Sequence, residues 1–443
     1  MIKCVLLWIT IFYLFNLIES NKFQLYWNLK SGVCKSDESL HPEWYQIVTN
    51  KDQEFLGDKI VTLYEGNLGL YPKFIVNVSF YSNENFYSNY SITESINGGL
   101  PQKNNITLHL KKAEKDIIKY VPNPDFDGPL IIDYESWRPL LDLNWGSRSH
   151  YLYESIKWVR QRFPQISERL AERIATDEFD RAARKFMVKT IQLVKKLRPK
   201  ALVGFYDYPM CNYDAGKASS KEMECNAHHK EANERLFWIY RESTALFPSI
   251  YYYNRDTMKE DNWRLRYTHA RINEAIILRE MLGSQIPIIP FTKMEYSITN
   301  LFDKKNFYSK KDICLSTSYA ANFNIQGLII WSTYANMNKR CPLIQIFLDV
   351  LYGPKSNKIT NIVEKCGIKY CSNHGRCVRK EMEKIFECNF KAWNFTNYFC
   401  SCLNGFSGEN CEKEESVKPI PVTEEFNIEL KLVPEIDEFA LLD

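Results

Sequence analysis

The chain has 443 residues, of which 45% are hydrophobic and 14% aromatic. That is enough for a large buried core and is not the composition of a disordered protein. Its formal net charge is only +3, which excludes a general electrostatic affinity for nucleic acid.

The first stretch, MIKCVLLWITIFYLFNLIES, has a cation at Lys3, an apolar run from Val5 to Ile18 and a small residue at Ser20. Residues 1–20 therefore read as a cleavable signal peptide, with a single membrane anchor as the alternative. No other segment is long and apolar enough to span a bilayer, so a secreted, extracellular product without stable membrane insertion is expected. Cysteine usage agrees: Cys4 falls in the leader and leaves an even dozen of the 13 for disulfides in an oxidising compartment. Sequons at Asn77, Asn89, Asn105 and Asn394 are glycosylation candidates.

Between residues 21 and 360 cysteines are sparse, and strands alternate with helices. DKIVTLYEG reads as a strand, and GPLIIDYE as another, followed by a helix from about Ser149 to Phe163. FMVKTIQLVKKLRP places Met187, Ile191 and Val194 at helical spacing and stops at Pro199. The strand ALVGFYDYP follows at once. INEAIILREML then IPIIPFT, and SYAANFNIQ then GLIIWSTY, repeat the alternation. Repeated αβ units predict a parallel α/β sheet, most economically a closed TIM-like barrel, with an open doubly wound sheet as its rival. No glycine-rich phosphate loop follows any strand, which counts against nucleotide binding.

After about residue 361 the composition changes, with seven cysteines between Cys366 and Cys411. The C-x-C followed by GFSGENC resembles an EGF-like module over residues 361–412; an oxidising compartment disfavours a zinc ribbon. Residues 413–443 read as a flexible acidic tail.

Asp133 and Glu135 end the strand in GPLIIDYE. Side chains at i and i+2 share a face, with Cα atoms roughly 6.5 Å apart. Like charges so close resist double ionisation, and a carboxyl held protonated is what a general acid needs. The alternative is a pair of structural acids in salt bridges with neighbours such as Arg138. Other strand ends carry Tyr206, Tyr251, Tyr296 and Trp331. Singly each reads as a core aromatic; together with the acids they predict a floor on which sugar rings stack. His228-His229 lie in a polar helical run and read as surface histidines rather than metal ligands.

The stretch IIDYESWRPLLDLNW resembles the catalytic motif of the hyaluronidase family, written I-D-W-E-x-W-R-P and closing with N-W. GDKIVTLYEGNLGLYP, NGGLPQ, GFYDYPMCNYD, ALFPSIY, ARINEA and GLIIWSTY follow the family in order, most like arthropod venom and salivary members. The resemblance implies an endo-β-N-acetylhexosaminidase on a distorted (β/α) barrel with a C-terminal EGF-like module. It implies hydrolysis of β-1,4 bonds of hyaluronan with retention; no metal or cofactor is expected, and a monomer is expected. In that scheme Glu135 is the acid, and the substrate's acetamido oxygen is the nucleophile. Asp133 orients the acetamido nitrogen. Tyr206 and Tyr251 contact the acetamido group and the −1 sugar, Trp331 stacks beneath it, and Tyr296 lines the cleft. Arg271 matches a family arginine near the catalytic aromatics.

The same resemblance implies the disulfides Cys34–Cys341, Cys211–Cys225, Cys366–Cys377, Cys371–Cys400 and Cys402–Cys411. Cys314 and Cys388 remain, either paired together or free. The chain departs from the family pattern at Tyr134, where Trp is usual, and at Met210, where an acid is common. It departs also in the short CNYD loop and in STYANMN. These departures keep chondroitin open as the substrate, and a catalytically weak glycan-binding or adhesion protein is the rival from another class.

Overall fold

The computed structural model describes residues 22–34, 39–79, 89–217, 223–254, 262–296, 298, 301, 303–380, 382 and 395–415. The expected leader, Cys388, Asn394 and the tail beyond residue 415 lie outside them. Among the described residues no helix is long and apolar enough to cross a membrane.

Three short strands come first: β1 (Gln24–Asn28), β2 (Ile47–Thr49) and β3 (Val61–Tyr64). An antiparallel hairpin of β4 (Lys73–Ser79) and β5 (Asn89–Ile96) follows outside the main sheet. Then come β6 (Pro129–Asp133), β7 (Leu202–Phe205), β8 (Phe291–Thr292) and β9 (Gly327–Trp331). Parallel pairing joins β2-β1-β9-β8 in one run and β3-β6-β7 in another. The segment 246–249 bridges the two runs through parallel contacts of Phe247 with Tyr206, Leu246 with Ile288 and Ser249 with Phe291. At the remaining seam the Asn50 side chain stands in for a ladder. Its amide donates to the Ile60 carbonyl at 2.8 Å, and its oxygen accepts from the Lys59 and Ile60 amides. The ring is therefore closed, as the barrel reading requires, and the open doubly wound sheet is excluded.

IPIIPFT yields only the two residues of β8, because Pro287 and Pro290 have no N–H to give the ladder. Their carbonyls still accept, from Leu246 and Ile329 respectively, each at 2.9 Å. Parity sorts the strand residues. Ile131, Phe247, Ile289, Phe291 and Ile329 pack inside the ring, while Leu130 and Ile132 face the helices. Burial on both faces is why these strands read as continuous apolar runs.

The helix predicted over 149–163 is found at His150–Arg162. The next is far longer than its apolar spacing suggested, Glu168–Leu197, capped by the Ser167 side chain and ended just before Pro199. Ala171, Ala175, Phe179 and Ala183 extend its buried stripe. Small residues carry that stripe, so a search for large apolar side chains finds only its C-terminal half. SYAANFNIQ is not one regular helix: a wide turn at Cys314–Tyr319 passes into a tight one at Ala320–Asn322.

All five implied disulfides are present. Cys314 is disulfide-bonded too, which removes its free-thiol alternative. The helix Gly353–Tyr370 runs unbroken through residue 361 and carries Cys366 into the cysteine-rich region. There β10 (Gly375–Arg379) pairs antiparallel with β11 (Tyr398–Cys402). Arg376 fastens this hairpin to the barrel, donating to the Ile325 and Lys22 carbonyls at 3.1 Å each. Both acceptors precede their strands, so the hairpin sits at the N-terminal end of the barrel.

Cys34–Cys341 closes a separation of 307 residues, linking the loop after β1 to the helix Met337–Phe347. Replacing both cysteines by serine is expected to cost about 2–5 kcal/mol. Denaturant midpoints of oxidised protein check this, and an unchanged midpoint would contradict it.

Candidate active site

Parity along β6 continues past its end. Ile131 is inside the ring and Asp133, two residues on, is inside at its C-terminal mouth, only 8% exposed. Glu135 follows just beyond the strand and is solvent-exposed, yet protein surrounds it on several sides. Tyr134, between them, turns outward. Its ring packs on Tyr71, Phe186 and Phe205, and its hydroxyl donates to the Leu68 carbonyl at 2.6 Å. A smaller ring thus occupies an outer pocket without touching the acids.

The Asp133 and Glu135 carboxyls meet at the barrel mouth, and each acts on the other's proton. Two carboxyls in contact favour a state in which one carries a proton. Burial raises Asp133 well above the usual carboxylate range, with the charge of Glu135 adding to it. Burial also raises Glu135, reinforced by Asp207 and opposed by Arg148. The pair is a shared-proton unit at the barrel mouth, and Arg138 is not its counter-ion.

Around it the strand ends supply a wall of aromatics. Tyr64, opposite Asp133 in the β3–β6 register, accepts a hydrogen bond from Trp331 Nε1 at 2.9 Å. Trp331 lies nearly parallel to Tyr251, with ring centroids 5.9 Å apart, and Tyr251 meets Tyr206 at 6.1 Å. Tyr206, Tyr251 and Trp331 are therefore brought together with the two acids.

Tyr296 is not among them. The antiparallel contact of Glu295 with Phe307 carries the chain away from the mouth. The Tyr296 hydroxyl bonds Asp312, and its ring packs on Tyr308. The expectation that it lines the cleft is corrected on that ground. Arg271 is fully buried and reaches neither Tyr206 nor Tyr251. It donates to Asp207 at 2.5 Å and to the Cys211 carbonyl at 3.0 Å, beneath Tyr213 and Tyr267. His228 is exposed, whereas His229 is buried with its ring bonded to Asn226 at 2.8 Å. The surface reading thus holds for the first histidine only.

Three residues at the mouth were missed by strand-end reading. Asp207, one residue past Tyr206, has φ +60, a left-handed conformation costing a non-glycine residue about 1 kcal/mol. Its ion pair with Arg271 and its amide bond to the Phe247 carbonyl hold it there. Glu65 accepts from the Ser136 amide and hydroxyl at 2.8 and 2.6 Å and pairs with Lys73, fixing the turn after Glu135. Tyr64 is the third. Tyr64 and Glu65 sit directly at and after a strand end in LYEG, the one signal that could have found them; Asp207 in GFYD shares that place, but its orientation comes from its left-handed backbone. Met210 lines the cleft with Glu135, Arg138, Arg148, Tyr206 and Asp207.

A closed parallel barrel with a proton-sharing carboxyl pair and an aromatic floor at its C-terminal mouth is the frame of a glycoside hydrolase. The comparisons give the class its family. A family model described as hyaluronidase matches residues 14–397, and the chain belongs to the hyaluronidase family of glycoside hydrolases. A chondroitin hydrolase of Caenorhabditis elegans is 32% identical over 89% of this chain and 81% of its own. A hyaluronidase of Loxosceles intermedia is 29% identical over 88% and 95%. The crystal structure of bee venom hyaluronidase in complex with a hyaluronic acid tetramer superposes with a TM-score of 0.63. It is 25% identical and covers 76% of this chain and 99% of that one.

A raised carboxyl weakens the fold at neutral pH. The unfolded state releases its proton near pH 4, and the folded state only at higher pH, so stability falls through that window. Asp133→Asn is expected to stabilise the protein by about 1 kcal/mol at pH 7. The gain should shrink towards zero as pH falls to 4, which thermal melts across pH measure. A gain independent of pH would contradict the shared proton.

Proposed function

We propose that the chain is a secreted endo-β-N-acetylhexosaminidase that hydrolyses the β-1,4 bonds of hyaluronan with retention, by a substrate-assisted mechanism. The observation that carries this reading is that Asp133 and Glu135, two residues apart, stand together at the end of one strand, the first buried and the second lining the cleft. Two-carboxylate glycosidases hold their acids about 5 Å apart or more, one on each face of the sugar. Two acids at a single strand end lie on the same side of the sugar, so the nucleophile comes from the substrate.

In this mechanism the N-acetylhexosamine rests against Trp331 with its acetamido group towards Tyr206 and Tyr251. Its N–H donates to Asp133, favouring that carboxylate and leaving the shared proton to Glu135. Glu135 gives the proton to the glycosidic oxygen, whose bond to the anomeric carbon breaks to release the next sugar as an alcohol, while the acetamido oxygen closes on that carbon. The oxazolinium-like intermediate carries positive charge beside ionised Asp133. Glu135 then takes a proton from water, which opens the intermediate with overall retention. Asp207, tied to Arg271, holds the negative potential that keeps the Glu135 proton in place.

Chondroitin is the second reading, favoured by the 32% identity to the nematode chondroitin hydrolase. We assign residues 1–20 to a cleaved leader, 21–360 to the catalytic barrel, 361–412 to an EGF-like module and 413–443 to a tail. With Cys388 set aside, the bridges among the other six cysteines of 366–411 run first to third, second to fourth and fifth to sixth, which supports the EGF-like assignment. Asn77 and Asn105 are exposed. The Asn105 oxygen caps a helix through the Leu108 amide at 3.1 Å, leaving its nitrogen for a glycan.

Glu135→Gln is expected to lower reducing-end release from hyaluronan and chondroitin by about 10²–10⁴-fold, with unchanged circular dichroism. Hydrolysis untouched by the substitution would overturn the acid assignment, and a wild type that cut neither polymer would favour a binding protein.

A further inference from the structure

β8 ends at Thr292, and the parity that sends Phe291 into the ring sends Lys293 to the same side, at the mouth. Its ammonium lies 4.9 Å from the Trp331 ring centre, 5.0 Å from Tyr251 and 5.3 Å from Tyr253. Three aromatic faces thus position one cation next to the floor of the cleft.

That cation has no ion-pair partner among the described residues. Glu295, two positions on, is taken by Arg340 and by the Ser332 hydroxyl. Asp207, across the mouth, is taken by Arg271. Burial of the ammonium lowers it to about 8, with the charge of Glu295 opposing the shift and that of Arg340 adding to it, so it remains mostly charged at neutral pH. Cation–π contact offsets part of the desolvation of a lysine, and a carboxylate arriving from the cleft would complete it. Asp133, Glu135 and Asp207 at the mouth repel an anionic polymer; Arg138 and Arg148 stand on the Glu135 side, and Lys293 is the cation on the Trp331 side.

We propose that Lys293 is a substrate-recognition residue that binds a uronate carboxylate of the polysaccharide, in the sugar adjoining the N-acetylhexosamine seated on Trp331. This rests on the glycosidase reading above, because the two sugars alternate in such polymers. A hexosamine over Trp331 therefore has an acidic neighbour on each side.

Binding is measured in a Glu135→Gln background, so that nothing is cleaved. The ligands are hyaluronan oligosaccharides and the same oligosaccharides with their carboxyls reduced to alcohols. KM is measured in parallel with otherwise wild-type protein. Lys293→Met is expected to raise Kd and KM for native oligosaccharide about tenfold, and to leave binding of the reduced oligosaccharide unchanged. Lys293→Arg should keep most of the affinity. Equal effects of Lys293→Met on both ligands, or none on either, would overturn the proposal. If Lys293→Met does not fold, equal binding of native and reduced ligand by a protein retaining Lys293 would overturn it. A protein that cut neither polymer would sink the glycosidase reading, while the binding comparison would still decide the role of Lys293.

Discussion

Two carboxyl groups that share one proton set the terms for everything around them. The proton survives because Asp133 is buried and Glu135 is hemmed in by protein while open to the cleft. Both conditions follow from one strand whose alternate residues face the inside of a ring. Closing the ring supplies the desolvation, and ending the strand at its mouth supplies access. A structure that buried both acids would have no route for substrate, and one that exposed both would lose the proton to water.

The neighbours of the pair are arranged to hold it without neutralising it. Glu65 grips the backbone of Ser136 rather than the acid side chains, and Lys73 answers the charge of Glu65. Arg271 answers Asp207 from beneath, so the ion pair of that acid lies on its far side from the cleft. Arg148, the cation nearest Glu135, bonds its carbonyl at 3.1 Å and only partly offsets the neighbouring negative charge. Several neighbouring charges are paired away from the acids, and buried Asp133 sits where its interaction with Glu135 is strong.

Much of this was legible because strand parity is a rule of two. The sequence alone places Asp133 and Glu135 on one face and Tyr134 on the other, and the ring confirms that placement. Parity fails where a strand stops. Tyr296 looked like a cleft residue by its nearness to PFT, but the chain turns at Glu295 to meet Phe307 and takes the tyrosine with it. Asp207 was illegible for a different reason. Its orientation depends on a left-handed backbone that no local residue dictates, held by an arginine 64 positions away. The long helix hid half its length behind alanines, whose buried stripe carries no hydrophobic signal strong enough to register.

Arg376 links the two extremes of the described chain to one end of the barrel, through the carbonyls that enter β1 and β9. The acids sit where the strands leave. The cysteine-rich hairpin is thus a back-plate, separated from the acids by the length of a strand. A partner gripping the hairpin would hold the catalyst from behind with its mouth unobstructed, so tethering and cutting need not compete for the same space.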